Sequence, residues 1–337
     1  METILVTGGA GFIGSNFIPY FLEKYSKYRI VNIDLLTYAG DVSNLKEVEG
    51  HKNNIFIKGD LRDRDFVKSL FKTYDIRHVI HFAAESHVDN SIKNPLVFAE
   101  TNVLGTLNLL ESAREQWMDK PFKYKEGYMN SRFHHISTDE VYGTLNEEGH
   151  FSEETPYAPN SPYSASKAGS DLFVRSYFHT YGMNVVTTNC SNNYGPKQHD
   201  EKLIPTLIRK ALNGEKLPIY GKGTNVRDWL YVLDHCQAID LVFHEGVTGE
   251  TYVVGGNNEK TNMEVAETIC RILDKKYPKE ESYFDQVEFV TDRPGHDFRY
   301  AIDATKLMKE LGWRPEETFE TGIEKTVNWY IEKYLKN

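Results

Sequence analysis

Apolar residues in the first half of the chain fall into short, nearly continuous runs, each followed by a longer stretch in which they recur every three or four positions. Thr3 to Thr7 is the first run; after a cluster of glycines, Phe12-Ile13 opens a helical periodicity that reaches about Leu22. Arg29 to Asp34, Asn54 to Lys58, His78 to Ala83, Phe133 to Ser137 and Val185 to Asn189 repeat the short-run pattern. A continuous apolar run of about four to eight residues bounded by turn residues reads as a strand buried on both faces. The intervening periodicity reads as helix and is most extended at Leu96–Trp117 and Tyr163–Tyr181. Strand alternating with helix predicts an α/β fold built on a doubly wound parallel (Rossmann) sheet.

Beyond Asn189 the pattern loosens. Pro and Gly punctuate Leu203–Tyr231, which predicts irregular chain there. A helix is expected at Asn262–Tyr277, a strand at Gln286–Val290, and helices near Thr305–Leu311 and Thr321–Tyr334. At 337 residues the chain suits one large α/β domain and a smaller one. The predicted division gives residues 1–189 to the sheet domain, rejoined by about 224–254. Residues 190–223 and 255–337 would form a smaller α/β domain closing over the mouth of the sheet.

Composition narrows the partners. The net charge is −10 and no long Lys/Arg run offsets it, which argues against a nucleic-acid or membrane-surface binder while leaving room for a local basic pocket. Cys190, Cys236 and Cys270 are widely spaced, without C-x-x-C or Cys/His ligand spacing. Buried, reduced thiols in a cytoplasmic protein are expected, and no metal is. Met1-Glu2 runs directly into Ile4-Leu5-Val6, so no signal peptide is expected. No apolar run approaches the roughly 18–20 residues that span a bilayer.

The first strand leads into Gly8-Gly9-Ala10-Gly11-Phe12-Ile13-Gly14, readable as Gly-x-Gly-x-x-Gly or Gly-x-x-Gly-x-x-Gly. Gly8, Gly11 and Gly14 allow a tight turn, let backbone approach a pyrophosphate and let the helix pack on the sheet; the helix N-terminus favours the phosphate charge. Asp34 stands twenty residues past Gly14, at the end of the second strand. A carboxylate there accepts from a ribose diol and repels a 2′-phosphate, which selects NAD over NADP. Asp60-Leu61, at the next strand end, would receive the adenine amino group, with helix capping as the alternative for Asp60.

Tyr163 and Lys167 are four apart on a predicted helix and share a face, roughly 5–6 Å apart. A phenol with its ordinary pKa of about 10 is a poor base at neutral pH, and a neighbouring ammonium would bring it towards the working range. With NAD, such a pair oxidises an alcohol. The strand His134-His135-Ile136-Ser137-Thr138 places Thr138 at a C-terminal strand end, where ligands of such sheets bind, and Asp139-Glu140 follow at once. Two carboxyl groups beside an oxidising pair can remove a proton and expel water, which points to oxidation, dehydration and re-reduction of one substrate. Solvated turn residues or a helix cap are the alternative for the two acids. His81 and His87 flank Phe82-Ala83-Ala84-Glu85-Ser86; without clustered ligands they do not read as a metal site, and Ser86 and His87 are expected against nicotinamide or substrate. Asn102 and Thr106, one helical turn apart, either face the cofactor or form a plain polar face.

The segments GGAGFIGSNF, NIDLLTYAG, FAAESHVDNSI, HHISTDEVYG, SPYSASKA, NCSNNYGP, EKLIP, PIYGKGTNVRDWLYV and DRPGHDFRYAID resemble the extended short-chain dehydrogenase/reductase family. Within it they are similar to the nucleotide-sugar dehydratases, from Ile4 to about Tyr330. Epimerase relatives share the glycines and Tyr-x-x-x-Lys but lack the Thr-Asp-Glu run. The resemblance implies a lyase with NAD as cofactor and dTDP-glucose as substrate. Tyr163, helped by Thr138 and Lys167, would take the proton from the hydroxyl on sugar carbon 4. Glu140 would remove the proton on carbon 5, Asp139 would protonate the hydroxyl leaving carbon 6, and hydride would return to carbon 6. Phe12, Ile13, Leu35, Thr37, Phe82, Ala83, Ala84, Ser86, Thr101 and Asn193 would join the cofactor side. Ser86, His87, Thr138, Asn192, Lys202, Leu203, Pro218, Ile219, Tyr220, Arg227, Asn262, Arg293 and His296 would meet the substrate. Arg227 and Arg293 offer forked donors suited to pyrophosphate oxygens. A homodimer paired through Leu96–Trp117 and Tyr163–Tyr181 is also implied. Thr144–Thr155 is shorter than in some relatives and Lys197-Gln198-His199-Asp200 differs in detail, which bears on substrate breadth.

Three other readings stand beside this one. A nucleotide-sugar 4-epimerase needs no acid pair. A dehydratase of a GDP- or UDP-linked sugar would use the same chemistry. A catalytically idle NAD-binding regulator would be expected to lack Tyr163, Lys167 or the acids, and all are present.

Overall fold

In the computed structural model, which describes residues 1–292 and 296–335, seven strands form one all-parallel sheet. Their order is Thr251–Val254, Val185–Cys190, Arg132–Thr138, Ile76–His81, Glu2–Thr7, Tyr28–Asp34, Asn54–Lys58. The expected doubly wound sheet is present, with one strand more than the apolar runs predict. Thr251–Val254 is four residues long and ends at Gly255-Gly256, too short to carry a period of its own.

Neighbouring strand residues face opposite sides, and helices cover both. On one face Leu5, Val31, Val79, Phe133 and Val185 pack with Leu109, Leu110, Trp117, Val174 and Tyr177. On the other, Ile4, Val6, Ile30 and Ile80 meet Phe17 and Phe21 of the helix Phe12–Lys24 and Ile239 and Phe243 of the helix Val232–Glu245. Each such side chain contributes about 1.5–3 kcal/mol by leaving water. The chain order reverses between Glu2–Thr7 and Ile76–His81, and ligands of such sheets bind at the carboxyl ends beside this reversal.

The loosely patterned half builds a second core. Val226–Tyr231 pairs parallel with Asn192–Tyr194 and antiparallel with Glu259–Thr261, and Leu217–Tyr220 pairs with Val287–Val290. The helices Leu203–Leu212, Asn262–Lys276 and Phe319–Leu335 bury Leu207, Ile208, Val265, Ile269, Ile323 and Tyr330 over these strands. Leu203–Tyr231 is therefore more regular than expected. Pro205 falls in the first turn of its helix, where a missing N–H breaks no helical bond. Gly214, Gly221 and Gly223 take φ of 71°, 58° and 69° at the turns between elements. The helix expected at Leu96–Trp117 starts at Pro95 and contains a π-helical segment, Ala99–Leu104, before Gly105–Trp117. Leu145 and Phe151, in the loop after the acid pair, bridge to Arg299 and Ile302. Among the described residues no helix is long and apolar enough to cross a membrane.

Candidate active site

The carboxyl ends of the central strands open onto a cavity of about 310 Å³. Its floor is the glycine loop. Gly8 has φ 72°, and a Cβ there would lie 2.7 Å from the backbone of Ala83; at Gly14 it would lie 2.5 Å from the Gly8 carbonyl oxygen. Gly11 caps the helix Phe12–Lys24 without a side chain, so its first N–H groups are available to an anion. Asp34 Oδ2 accepts from Ala10 N at 3.0 Å and Oδ1 from Leu36 N at 2.8 Å, so the same carboxyl braces the loop and faces the cavity. Burial pushes it upward, and the N–H groups of Leu36, Ala10 and Gly11 pull it back. Asp60 accepts from Arg62 at 2.7 Å. Phe12, Ile13, Leu35, Thr37, Leu61, Phe82, Ala83, Ala84, Ser86, Thr101 and Asn193 line the same cavity. A loop that no Cβ could enter, with a carboxyl at the second strand end, fits a dinucleotide.

Asn102 and Thr106 are engaged within the protein. Asn102 bonds both backbone groups of Glu85 and donates to Ser166 Oγ at 2.8 Å. Thr106 Oγ1 donates to the Asn102 carbonyl and meets His81 Nε2 at 2.9 Å.

Two caps set the reacting groups. Ser161 and Ser164 form a capping box with Pro162 at the first helical position, which places Tyr163 in the first turn of the helix Pro162–Tyr181. Thr138 caps the short 3-10 turn Asp139–Tyr142: Glu140 N donates to Thr138 Oγ1 at 3.3 Å, and that hydroxyl donates to Asp139 Oδ1 at 3.3 Å. Gly143 ends the turn at φ 89°, where a Cβ would lie 2.5 Å from the Ala158 carbonyl oxygen.

Thr138, Asp139, Glu140, Tyr163 and Lys167 all line the cavity. Asp139 is 1% exposed, and its Oδ2 finds no hydrogen-bond partner among the described residues. Burial first, then Glu140 and Asp228, push its carboxyl well above the usual range, which favours its protonated form. Tyr163 departs from expectation. Burial and then the Glu140 charge push its phenol well up, and the hydrogen bond to Thr138 opposes this only in part. Lys167 Nζ donates to the Ile136 carbonyl at 2.8 Å; burial pushes its ammonium down and Asp171 pushes it back.

On the substrate side, Ser86, Asn192 and Lys202 line the cavity with Thr138, and Lys202 Nζ donates to the Ser86 carbonyl at 3.3 Å. His87 lies just outside the lining; it caps the helix Val88–Lys93 and approaches Glu201 at 3.6 Å. Leu203, Pro218, Ile219, Tyr220, Arg227, Asn262 and His296 are not part of the lining either. Leu203 packs against the second core, in which Ile219 is fully buried, so Ile219 offers a ligand only backbone. Pro218 and Tyr220 flank it on the same strand, and Tyr220 is 41% exposed. Arg227 donates to the carbonyls of Val226, Asp297 and Phe298 and lies 4.2 Å over the Tyr300 ring. Asn262 opens the helix Asn262–Lys276, and His296 pairs with Asp292 at 2.7 Å. Arg293 lies outside the described residues.

The cavity adds groups that the motifs do not name. Cys190 is the last residue of its strand, a position that signals the site edge; burial pushes its thiol up to about 12. Tyr38 meets Ser86 Oγ at 3.1 Å and packs edge-on against His199, 5.7 Å between ring centres, and Gln198 and Glu201 also line the cavity. Among the described residues no group of three or more His, Cys, Asp or Glu side chains could hold a metal ion.

A parallel sheet with a dinucleotide cradle and an acid pair beside Tyr-x-x-x-Lys defines a class, and comparison with known proteins names it. Residues 5–326 match the family described as GDP-mannose 4,6 dehydratase, and the chain belongs to that family. It is 57% identical over 334 residues to dTDP-glucose 4,6-dehydratase of Xanthomonas campestris pv. campestris (strain B100), covering 98% of this chain and 93% of that protein. The crystal structure of dTDP-glucose 4,6-dehydratase from Bacillus anthracis str. Ames in complex with NAD superposes with a TM-score of 0.86 at 47% identity, covering 100% of this chain and 98% of that one. The Streptomyces venezuelae dTDP-glucose 4,6-dehydratase, solved with NAD bound, gives 0.89 at 43% identity, covering 98% and 97%.

Proposed function

We propose that this chain is an NAD-dependent lyase that converts dTDP-glucose to dTDP-4-keto-6-deoxyglucose and water. The observation that carries the reading is a buried Asp139, its carboxyl pushed well up by burial and by Glu140, in the same cavity as Tyr163, Lys167 and the glycine loop. The chemistry that NAD supplies when bound is that of a cationic hydride acceptor at carbon 4 and a hydride donor to carbon 6. Tyr163, hydrogen-bonded to Thr138, accepts the proton of the carbon 4 hydroxyl as that carbon is oxidised. The new ketone acidifies the carbon 5 proton, which Glu140 removes. Asp139 gives its proton to the carbon 6 hydroxyl, which leaves as water. One carboxyl must be neutral and the other charged for this division, and the unequal burial of the two acids supports it. An epimerase has no use for such a pair.

Residues 1–189 with about 224–254 serve NAD, and 190–223 with 255–337 serve the nucleotide sugar, with Lys202, Arg227 and Arg293 as the cations for its diphosphate. Two copies pair through the long helices, on which Leu96, Leu104, Leu172 and Phe173 are exposed at 71%, 54%, 57% and 39%. Three buried, unpaired cysteines suit the reducing cytoplasm. The test is incubation of the purified protein with dTDP-glucose and no added reductant. Loss of one water and a new methyl at carbon 6, read by mass and sugar NMR, is the expected result; an unchanged mass with inverted carbon 4 would mean an epimerase.

A further inference from the structure

The segment 196–202, set apart in the sequence by Lys197-Gln198-His199-Asp200, is fixed to both cores. Lys197 takes φ 69°, a region most side chains avoid. Its Nζ donates to the Ser15 carbonyl at 3.1 Å and pairs with Glu47 at 2.9 Å. Asn16 Nδ2, on the helix that opens at the glycine loop, donates to the Pro196 carbonyl at 3.0 Å. The helix Phe319–Leu335 holds the other side: Tyr334 Oη donates to Asp200 at 2.6 Å, Lys333 pairs with it at 3.2 Å, and Tyr330 Oη donates to the Gln198 carbonyl at 2.6 Å. The wall that carries His199 and Lys202 is thus tied down beside the dinucleotide cavity. Tyr38 reaches it from the loop after the second strand. Its hydroxyl meets Ser86 Oγ at 3.1 Å and its ring stands edge-on to His199 at 5.7 Å between centres, while Lys202 Nζ donates to the Ser86 carbonyl at 3.3 Å. We propose that Tyr38, Ser86, His199 and Lys202 form a latch that joins three loops across the cavity and holds the reduced cofactor there between its two hydride transfers.

The chemistry gives such a latch its use. Hydride leaves carbon 4 for NAD and returns to carbon 6 only after water has gone. NADH that escapes in between strands a 4-keto-glucose nucleotide and leaves the cavity empty. No step of the cycle needs an exchange of cofactor, so contacts that slow its release do not slow turnover. The three joined loops follow three separate strands, Tyr28–Asp34, Ile76–His81 and Asn192–Tyr194, and the last of these belongs to the smaller core. Tyr38 is the side chain that touches both of the other loops, and it lines the cavity itself. Opening the mouth therefore means parting Tyr38 from Ser86 and from His199.

The latch presupposes the redox cycle proposed above, and one experiment reads the two apart. Holoprotein is mixed with a large excess of isotopically labelled NAD, without substrate, and the labelled share of the protein-bound cofactor is followed by mass. Tyr38→Ala is expected to exchange roughly tenfold faster or more than the unsubstituted protein. Tyr38→Phe, which removes the bond to Ser86, and His199→Ala, which removes the ring contact, each exchange about three- to tenfold faster, with the melting temperature unchanged. In a single turnover with dTDP-glucose the same variants release NADH, read by a second dehydrogenase that oxidises only the free cofactor. Exchange within about twofold of the unsubstituted rate in both Tyr38→Phe and His199→Ala would overturn the latch. Faster exchange seen only alongside a fall in melting temperature would mark a general loosening and would overturn it too. Exchange that quickens as expected, in a protein that removes no water from dTDP-glucose, would uphold the latch and strike the reaction assigned to the site. If Tyr38→Ala does not hold its fold, the two milder variants decide alone.

Discussion

Asp139 and Asp171 are both buried, at 1% and 4% exposure, and their carboxyls end up shifted in opposite directions. Asp139 accepts one hydroxyl bond at 3.3 Å and has Glu140 and Asp228 as negative neighbours. Asp171 accepts four bonds and has Lys167 one turn away. Asp34 stands between them: three backbone N–H groups address it, and burial still leaves its carboxyl raised. Burial therefore sets a common upward push, and the number and charge of the donors decide whether it survives. The outcome is a proton to give at the strand end and a fixed negative charge beneath it.

The largest effect comes from removing the group that begins the reaction. Tyr163→Phe lowers carbon 4 oxidation by roughly 10³-fold while NAD remains bound, read as reduced-cofactor absorbance in a single turnover; retained turnover would refute the assignment. Asp139→Asn lowers water loss by roughly 10²-fold and spares oxidation, so a 4-keto-glucose nucleotide accumulates and is caught by rapid quench and mass. Glu140→Gln has the same phenotype, whereas Asp171→Asn, which unpairs the donors of His135, Ser137, Tyr157 and Asn189, lowers the melting temperature; equal damage to oxidation and water loss in the Asp139 variant would dissolve the contrast. The pH profile sharpens it. Asp139 acts in its protonated form and its carboxyl is raised, so water loss declines as pH rises through that raised value, and this decline is absent in Asp139→Asn. Asp34→Ala is the mildest: NAD binding weakens by about tenfold and discrimination against NADP relaxes, read by cofactor titration, and an unchanged preference would remove Asp34 from the ribose.

The two carboxyls also differ in how far they could be read from the chain. Asp139 sits in a contiguous Thr-Asp-Glu run after an apolar strand, and Tyr163 and Lys167 share a helix face, so local order exposes them. Asp171 is anonymous in sequence because its donors come from positions 135, 137, 157 and 189, which only the sheet and the helix bring together. The large sheet was legible because parallel strands buried on both faces are continuous apolar runs. The second core was less so: Asn192–Tyr194 and Glu259–Thr261 are three residues each, and Pro205 disguises a helix whose first turn tolerates it. For Tyr163, spacing reveals a neighbouring lysine but neither the depth of burial nor the Glu140 charge, both of which push its phenol up.

Infrared difference spectra at neutral pH test the contrast most directly, by comparing the unsubstituted protein with Asp139→Asn and with Asp171→Asn in the carboxylic-acid C=O stretch region. Loss of a protonated-carboxyl band in the Asp139 variant alone, with a carboxylate band lost in the Asp171 variant, is the result this account predicts. A carboxylate signal from Asp139 would leave the departing hydroxyl without its proton donor and would contradict it.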